Sequence, residues 1–198
     1  MMKTIFFLCI IGIYIPQLNV VGVYSFNSGK FHEEIELLPD NKFVYHQKRE
    51  FLDIKVVGNY KVINDGIILD SYPQRDKIIV KESSKTKHGK TEIRVKDKFG
   101  SSFYYSVDLF FIDGTVISLQ NQYEITYTDK TLLGFTITDS KGLSSPKYII
   151  KGGNSKCFDV QFESNRVFEN EFWQIKNKEI IPIGFDGLPQ KYRLVKTR

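Results

Sequence analysis

From residue 22 onward apolar and polar residues alternate with a period of two, and no stripe of helical period interrupts them. Alternation of this kind commits a chain to half-buried strands, because successive side chains on a strand point to opposite faces. Two stretches show the pattern compactly, "GNYKVINDGIILD" (58–70) and "EFWQIKNKEIIPI" (171–183). Each runs aromatic, polar, aliphatic, one further residue, Asn, two more residues and Ile-Ile. With Asn64-Asp65 as a two-residue turn, Val62 faces Ile67 and Tyr60 faces Leu69. With Asn177-Lys178 as the turn, Ile175 faces Ile180 and Trp173 faces Pro182. Proline cannot donate to a ladder, so the second strand of the late hairpin is expected to lie at an edge or to be irregular at Pro182.

The same logic sets a third register. In "EIELLPDNKFVYH" (34–46) a loop at Pro39-Asp40-Asn41 places Leu37 opposite Phe43 and Ile35 opposite Tyr45. Glu34 and His46 then meet on the other face, and a loop of any other length would bury Lys42 or His46 beside Ile35. Composition agrees. Alanine, the best helix former, is absent, while the sequence holds 16 Phe and 11 Tyr. A genome rich in A and T would bias the codons the same way, so composition favours an all-β chain without proving it.

The N-terminus carries a different signal. Lys3 precedes an apolar run, "TIFFLCIIGIYI" (4–15), which Pro16-Gln17 stops. The run is shorter than the roughly 20 residues a membrane-spanning helix needs, and it fits the core of a secretory signal peptide. A signal over residues 1–20 is therefore expected, cleaved somewhere between residues 17 and 22. A buried first strand is the competing reading. Cys9 would leave with the signal, so the exported chain would keep Cys157 alone and no internal disulfide. Removing Lys3 takes the net charge from +5 to +4. That excess is spread along the chain, which argues against a nucleic-acid partner. No second long apolar run follows, so no stable membrane span is expected after signal removal.

Further alternating segments lie at 91–97, 103–111, 115–119, 123–127, 133–139, 147–151, 157–163 and 191–198, with turns at Asp113-Gly114, Lys141-Gly142 and Gly152-Gly153-Asn154. The basic stretch "KESSKTKHGK" (81–90) reads as a long loop or linker. The expected division is an antiparallel meander over 22–82 and a β-sandwich-like domain over 91–198 that includes the hairpin 171–183. Whether that hairpin returns to the meander or belongs to the second domain stays open. The repeat itself is also explicable as chance reuse of common hairpin grammar.

The early run "GVYSF…LLPDNKFVYH…GNYKVINDGIIL" resembles secreted proteins of Gram-negative bacteria that begin with a lipocalin-like meander. "IRVKDKFG" and "TYTDKTLLGFTI" (126–137) resemble the carboxypeptidase-regulatory-like β-sandwich, with one extra residue between Asp129 and Gly134. These resemblances imply an all-β fold, a lipocalin-like barrel plus a sandwich, and an exported address, periplasmic or extracellular. They bring no catalytic residue with them.

The chain's own residues point to no reaction. Gly-x-Ser-x-Gly and phosphate-cradling glycine loops are absent, and "HEE" (32–34) lacks the spacing of a helical zinc site. His32 and His46 share a strand face and form the one conceivable two-histidine site. Cys157 runs out of phase with Phe158, Val160 and Phe162 and has no histidine near it in sequence, the pattern of a passive thiol. No catalytic residue, metal ligand or cofactor is therefore assigned. The expected function is non-enzymatic binding of a small apolar ligand, a glycan or an envelope protein, with Tyr60 and Trp173 as candidate ligand-binding residues in a barrel cavity. The alternative is a secreted hydrolase using a pair of carboxylates held about 5–10 Å apart.

Overall fold

The computed structural model describes residues 19–86 and 89–198. The expected signal segment, apart from its last two residues, and His88 of the basic loop lie outside the described residues. No helix occurs among those described; sixteen strands do.

Eight strands close a barrel. Five come from the first part of the chain: β1 (Gly22–Ser28), β2 (Phe31–Leu37), β3 (Lys42–Arg49), β4 (Leu52–Ile63) and β5 (Gly66–Ser71). Three come from the end: β14 (Glu171–Lys176), β15 (Glu179–Ile181) and β16 (Leu194–Lys196). The order around the barrel is β1-β16-β15-β14-β5-β4-β3-β2, with β2 returning to β1, and every pairing is antiparallel. The architecture is that of a lipocalin-like barrel carrying further sheets.

The hairpin registers follow the hydrophobic pattern. Leu37 pairs with Phe43, Ile35 with Tyr45 and Glu34 with His46. Val62 pairs with Ile67 and Tyr60 with Leu69. Asn41 takes a left-handed φ of 61° in the first of these turns. In the late hairpin Ile175 pairs with Ile180, but the ladder ends at Gln174–Ile181. Trp173 therefore does not pair with Pro182. β15 is held on both sides, by β14 and β16, so the proline interrupts an interior strand and marks no edge.

Between β5 and β14 the chain builds a second unit. Its strands are β6 (Ile78–Ser83), β7 (Thr91–Asp97), β8 (Tyr104–Phe111), β9 (Val116–Tyr123), β10 (Ile125–Thr128), β11 (Leu132–Asp139), β12 (Tyr148–Ile149) and β13 (Cys157–Phe162). They form two four-stranded sheets, β10-β7-β13-β6 and β12-β11-β8-β9. Ile93, Val95, Val107, Leu109, Phe135, Ile137, Phe158 and Phe162 pack between them in an apolar core. β13 runs parallel to β7, and the intervening strands make the crossover that a parallel pair requires.

The boundary thus differs from the expected division at 82 and 91. β6 (Ile78–Ser83), which falls within the expected meander and runs into the stretch read as a loop, belongs to the sandwich, and the hairpin 171–183 and the final strand belong to the barrel. The physical reason is closure. Five strands leave two open edges, at β1 and β5, and the three late strands cover both. The sandwich is an insertion into a barrel that the chain begins and later completes.

Candidate functional site

The barrel interior is filled from two ends. Toward one end Phe168, from the connection between β13 and β14, enters the barrel and meets Phe43, Tyr45 and Trp173 edge-on at ring-centre distances of 5.2, 5.0 and 5.6 Å. Such T-shaped contacts suit the quadrupoles of aromatic rings. Phe168 is held by its own backbone: its N–H donates to Ser71 Oγ at 2.7 Å and its carbonyl accepts from Ser71 N–H at 2.9 Å. Tyr60 and Trp173, the two candidate ligand-binding residues, are buried in this core. The Tyr60 hydroxyl donates to the Leu38 carbonyl at 2.8 Å, and the Trp173 indole N–H to Glu171 Oε1 at 2.9 Å. Neither is among the residues that line the described cavities, and Phe168 packs directly on Trp173.

The other end of the interior is polar, a feature that alternation alone does not reveal. Glu33 and Gln47 stand at inward positions of β2 and β3, two residues from Ile35 and Tyr45, and both are buried. Glu33 accepts from the Tyr45 hydroxyl at 2.7 Å and from the Tyr192 hydroxyl. Burial raises its pKa, more than those two donors and the Arg166 and Arg49 guanidinium groups lower it. Arg166, fully enclosed beside Phe168, binds both oxygens of Glu171 and the Ile183 carbonyl. Lys77 adds a contact to Glu171 at 2.8 Å. Burial would raise the pKa of Glu171, but Arg166 and then Lys77 outweigh it and the net shift is downward. The inward phase of Glu33 with Ile35, and of Glu171 with Trp173 and Ile175, each a charge among apolar neighbours, was the sequence signal for this network.

Arg166 also reaches a cleft of about 380 Å³ that takes its walls from both units. Leu52, Ile54, Val56 and Phe185 come from the barrel, and Lys141 and Leu143 from the turn after β11. The connections between the units supply Tyr72, Arg75, Ser164 and Asn165. Three contacts hold the walls together: Ser144 N–H donates to the Phe185 carbonyl at 2.8 Å, Glu163 N–H to the Lys77 carbonyl at 2.9 Å, and Lys141 Nζ to the Ser164 carbonyl. The volume lies at the low end for small-molecule sites, and a junction of two units is a common place for one. The larger grooves on the sandwich surface are each lined by that unit alone.

The remaining sequence candidates lie apart from the cleft. His32 and His46 do share a face, with ring centres 5.8 Å apart, but each is engaged elsewhere, His32 with Asn27 at 2.6 Å and His46 with Asp53 at 2.8 Å. Among the described residues no group of three or more His, Cys, Asp or Glu is gathered to hold a metal. Cys157 is buried on the outer face of β13 beneath Arg94, whose Nη2 contacts its sulfur. Glu33 and Glu171 have pKa values pushed in opposite directions, as an acid–base pair would, yet neither lines the cleft. No helix among the described residues is long and apolar enough to cross a membrane, which leaves β-barrel spans unaddressed. Compared with protein-family models, curated proteins and solved structures, the chain matches none.

Proposed function

We propose that this chain is an exported, non-enzymatic binding protein of the bacterial envelope, periplasmic or extracellular, and that its ligand occupies the cleft between barrel and sandwich. The observation that carries the reading is the cleft itself. It is a concavity with an apolar wall of Leu52, Ile54, Val56, Leu143 and Phe185 and a polar wall of Ser164, Asn165 and basic side chains, at the junction of two otherwise filled units. Support for export comes from the apolar run 4–15 and from the resemblance to secreted Gram-negative proteins. A small amphipathic ligand fits these walls better than a glycan or a folded envelope protein, which would need a broader surface.

Asn165 is exposed and lines the cleft, so Asn165→Trp is expected to fill it without disturbing either core. Two-dimensional NMR against a panel of fatty acids, fatty alcohols and oligosaccharides should move the amide signals of Leu143, Ser164 and Asn165, and Asn165→Trp should abolish that response. Shifts that map elsewhere, or that survive the substitution, would exclude the cleft. Mass spectrometry of the chain recovered outside the cytoplasm should show a new N-terminus between residues 17 and 22; an intact Met1 in that fraction would remove the cleaved signal, and recovery from the cytoplasm alone would remove the export reading.

A further inference from the structure

Arg75 and Arg166 both line the cleft, and in each the Nε–H is buried with no acceptor among the described residues. An unsatisfied guanidinium donor away from water is costly, and buried donors in folded proteins nearly always have partners. Each arginine is held from the protein side through its terminal nitrogens. Arg166 engages Glu171 and the Ile183 carbonyl, and Arg75 Nη1 lies 3.2 Å from Glu163. The Nε donors are what the protein leaves unpaired, enclosed just behind the cleft wall.

The local charge count points the same way. Glu163 is shared by Arg75 and Lys98, and Glu171 by Arg166 and Lys77, so two carboxylates serve four cations. Asp139 lies 3.6 Å from Lys141. Of the residues lining the cleft, Lys55, Arg75, Lys141 and Arg166 are basic, and the one acid, Asp53, is engaged by His46. Glu33, on the barrel side of Arg166, is occupied by Tyr45 and Tyr192. The surroundings thus keep a positive excess beside an apolar wall.

We infer, resting on the reading that the cleft is the binding site, that its ligand is a small amphipathic carboxylate, with the carboxylate taken by Arg75 and Arg166 and the apolar stem laid on Leu143, Val56 and Phe185. A carboxylate matches the fork geometry of arginine and supplies acceptors to both orphaned donors, which a neutral hydroxyl does less well.

The test uses octanoate as the probe and 1-octanol as its uncharged counterpart, read by 15N NMR of the arginine Nε–Hε groups and by calorimetry. Octanoate should move the Arg75 and Arg166 Nε–Hε signals, bind at least about tenfold more tightly than octanol, and weaken as salt is added. Arg75 is 40% exposed at its side chain, so Arg75→Gln should fold and should weaken octanoate about tenfold while leaving octanol unchanged. Equal binding of acid and alcohol, both blocked by Asn165→Trp, would overturn the carboxylate inference and leave the cleft reading standing. Binding of octanoate that ignores both substitutions would overturn the two together. Absence of octanoate binding at millimolar concentration would overturn the carboxylate inference alone.

Discussion

The barrel and the sandwich are built from similar strands, yet they handle charge and chain connectivity in opposite ways. The sandwich is contiguous, from Ile78 to Phe162, and its core is apolar throughout. Glu92 and Asp139 are buried outside that apolar cluster, and other charged groups pair in the open, as Lys90–Asp129 does at 3.2 Å. The barrel joins the two ends of the described chain, with Tyr24 beside Lys196, and it encloses Glu33, Arg166 and Glu171. A contiguous unit can form from its own contacts. The barrel closes only when Ser71 and Glu171 are brought together, and closing a free loop of about a hundred residues costs on the order of 4 kcal/mol. A folded insert largely removes that cost, so the sandwich serves as the clasp of the barrel.

The buried charges are where the contrast should break hardest. Arg166→Met leaves the Glu171 carboxylate enclosed with Lys77 as its remaining cation, and loss of one partner of a buried pair costs about 3–5 kcal/mol. Urea unfolding followed by Trp173 fluorescence should show that loss, and Arg166→Met combined with Glu171→Leu should recover part of it. Lys90→Ala on the sandwich surface should cost under about 0.5 kcal/mol. A loss below about 1 kcal/mol for Arg166→Met would mean that the barrel network is a passenger.

Connectivity gives the next effect. Phe135 is buried between the sandwich sheets, and Phe135→Ala should cost about 3–5 kcal/mol. If the sandwich clasps the barrel, Trp173 fluorescence should register that loss from within the barrel. The reverse should fail: in Arg166→Met, hydrogen exchange should leave the β7, β8 and β11 amides protected under conditions that expose those of β2 and β3. Symmetric loss in both variants would make the molecule one cooperative unit.

The same contrast governs what the sequence revealed. Strand positions and registers were legible wherever a strand has one apolar and one polar face, as in the pairing of Leu37 with Phe43. Membership was not, because the pattern of the hairpin 171–183 states which residues face each other and is silent on which open edge it joins. Phe168 and Arg166 lie in a connection outside the strands, where no periodicity assigns them a face. The cleft was illegible for a similar reason: its walls come from segments as distant as Leu52 and Phe185 and exist only after the insert is seated.

Acid titration offers a smaller effect of opposite sign in the two units. In the sandwich Glu82 accepts from the Tyr148 and Ser155 hydroxyls at 2.7 and 2.6 Å and from the Lys151 and Gly152 N–H groups at 2.8 and 2.9 Å. Burial alone would raise its pKa, but these donors together draw it down to about 2, from an ordinary 4.5. Its contribution is present above about pH 4.5 and is lost as pH falls toward 2. Discounted for its contact with solvent, that amounts to about 1 kcal/mol, which Glu82→Gln should remove. Glu33 in the barrel is raised by burial, so its contribution is present below pH 4.5 and is lost as pH rises through its folded value. Glu33→Gln should therefore gain stability at neutral pH, and the gain should vanish in acid. Urea midpoints across pH 2–7 separate the two; parallel slopes would contradict the assignment.

The smallest effect compares the two copies of the shared hairpin pattern. In the late turn Asn177 and Lys178 both have left-handed φ, 54° and 65°, the geometry of a two-residue turn that fits the twist of its strands. Lysine has a Cβ that resists this conformation, and glycine does not. Lys178 is exposed, so Lys178→Gly should stabilise the protein by up to about 1 kcal/mol. In the early turn Asn64 has a φ of 27° and Asp65 is not left-handed. Asp65 instead ties its turn to β14: its carbonyl accepts from Ile175 N–H at 2.7 Å and its carboxylate from Gln174 Nε2 at 2.9 Å. Asp65→Gly relieves no strain and loses the side-chain bond, so it should destabilise by about 0.5–1 kcal/mol. Opposite signs at two positions with the same place in the pattern would show that the repeat specifies register while tertiary contacts choose the turn. Equal gains from both glycines would show that the pattern carries turn geometry as well.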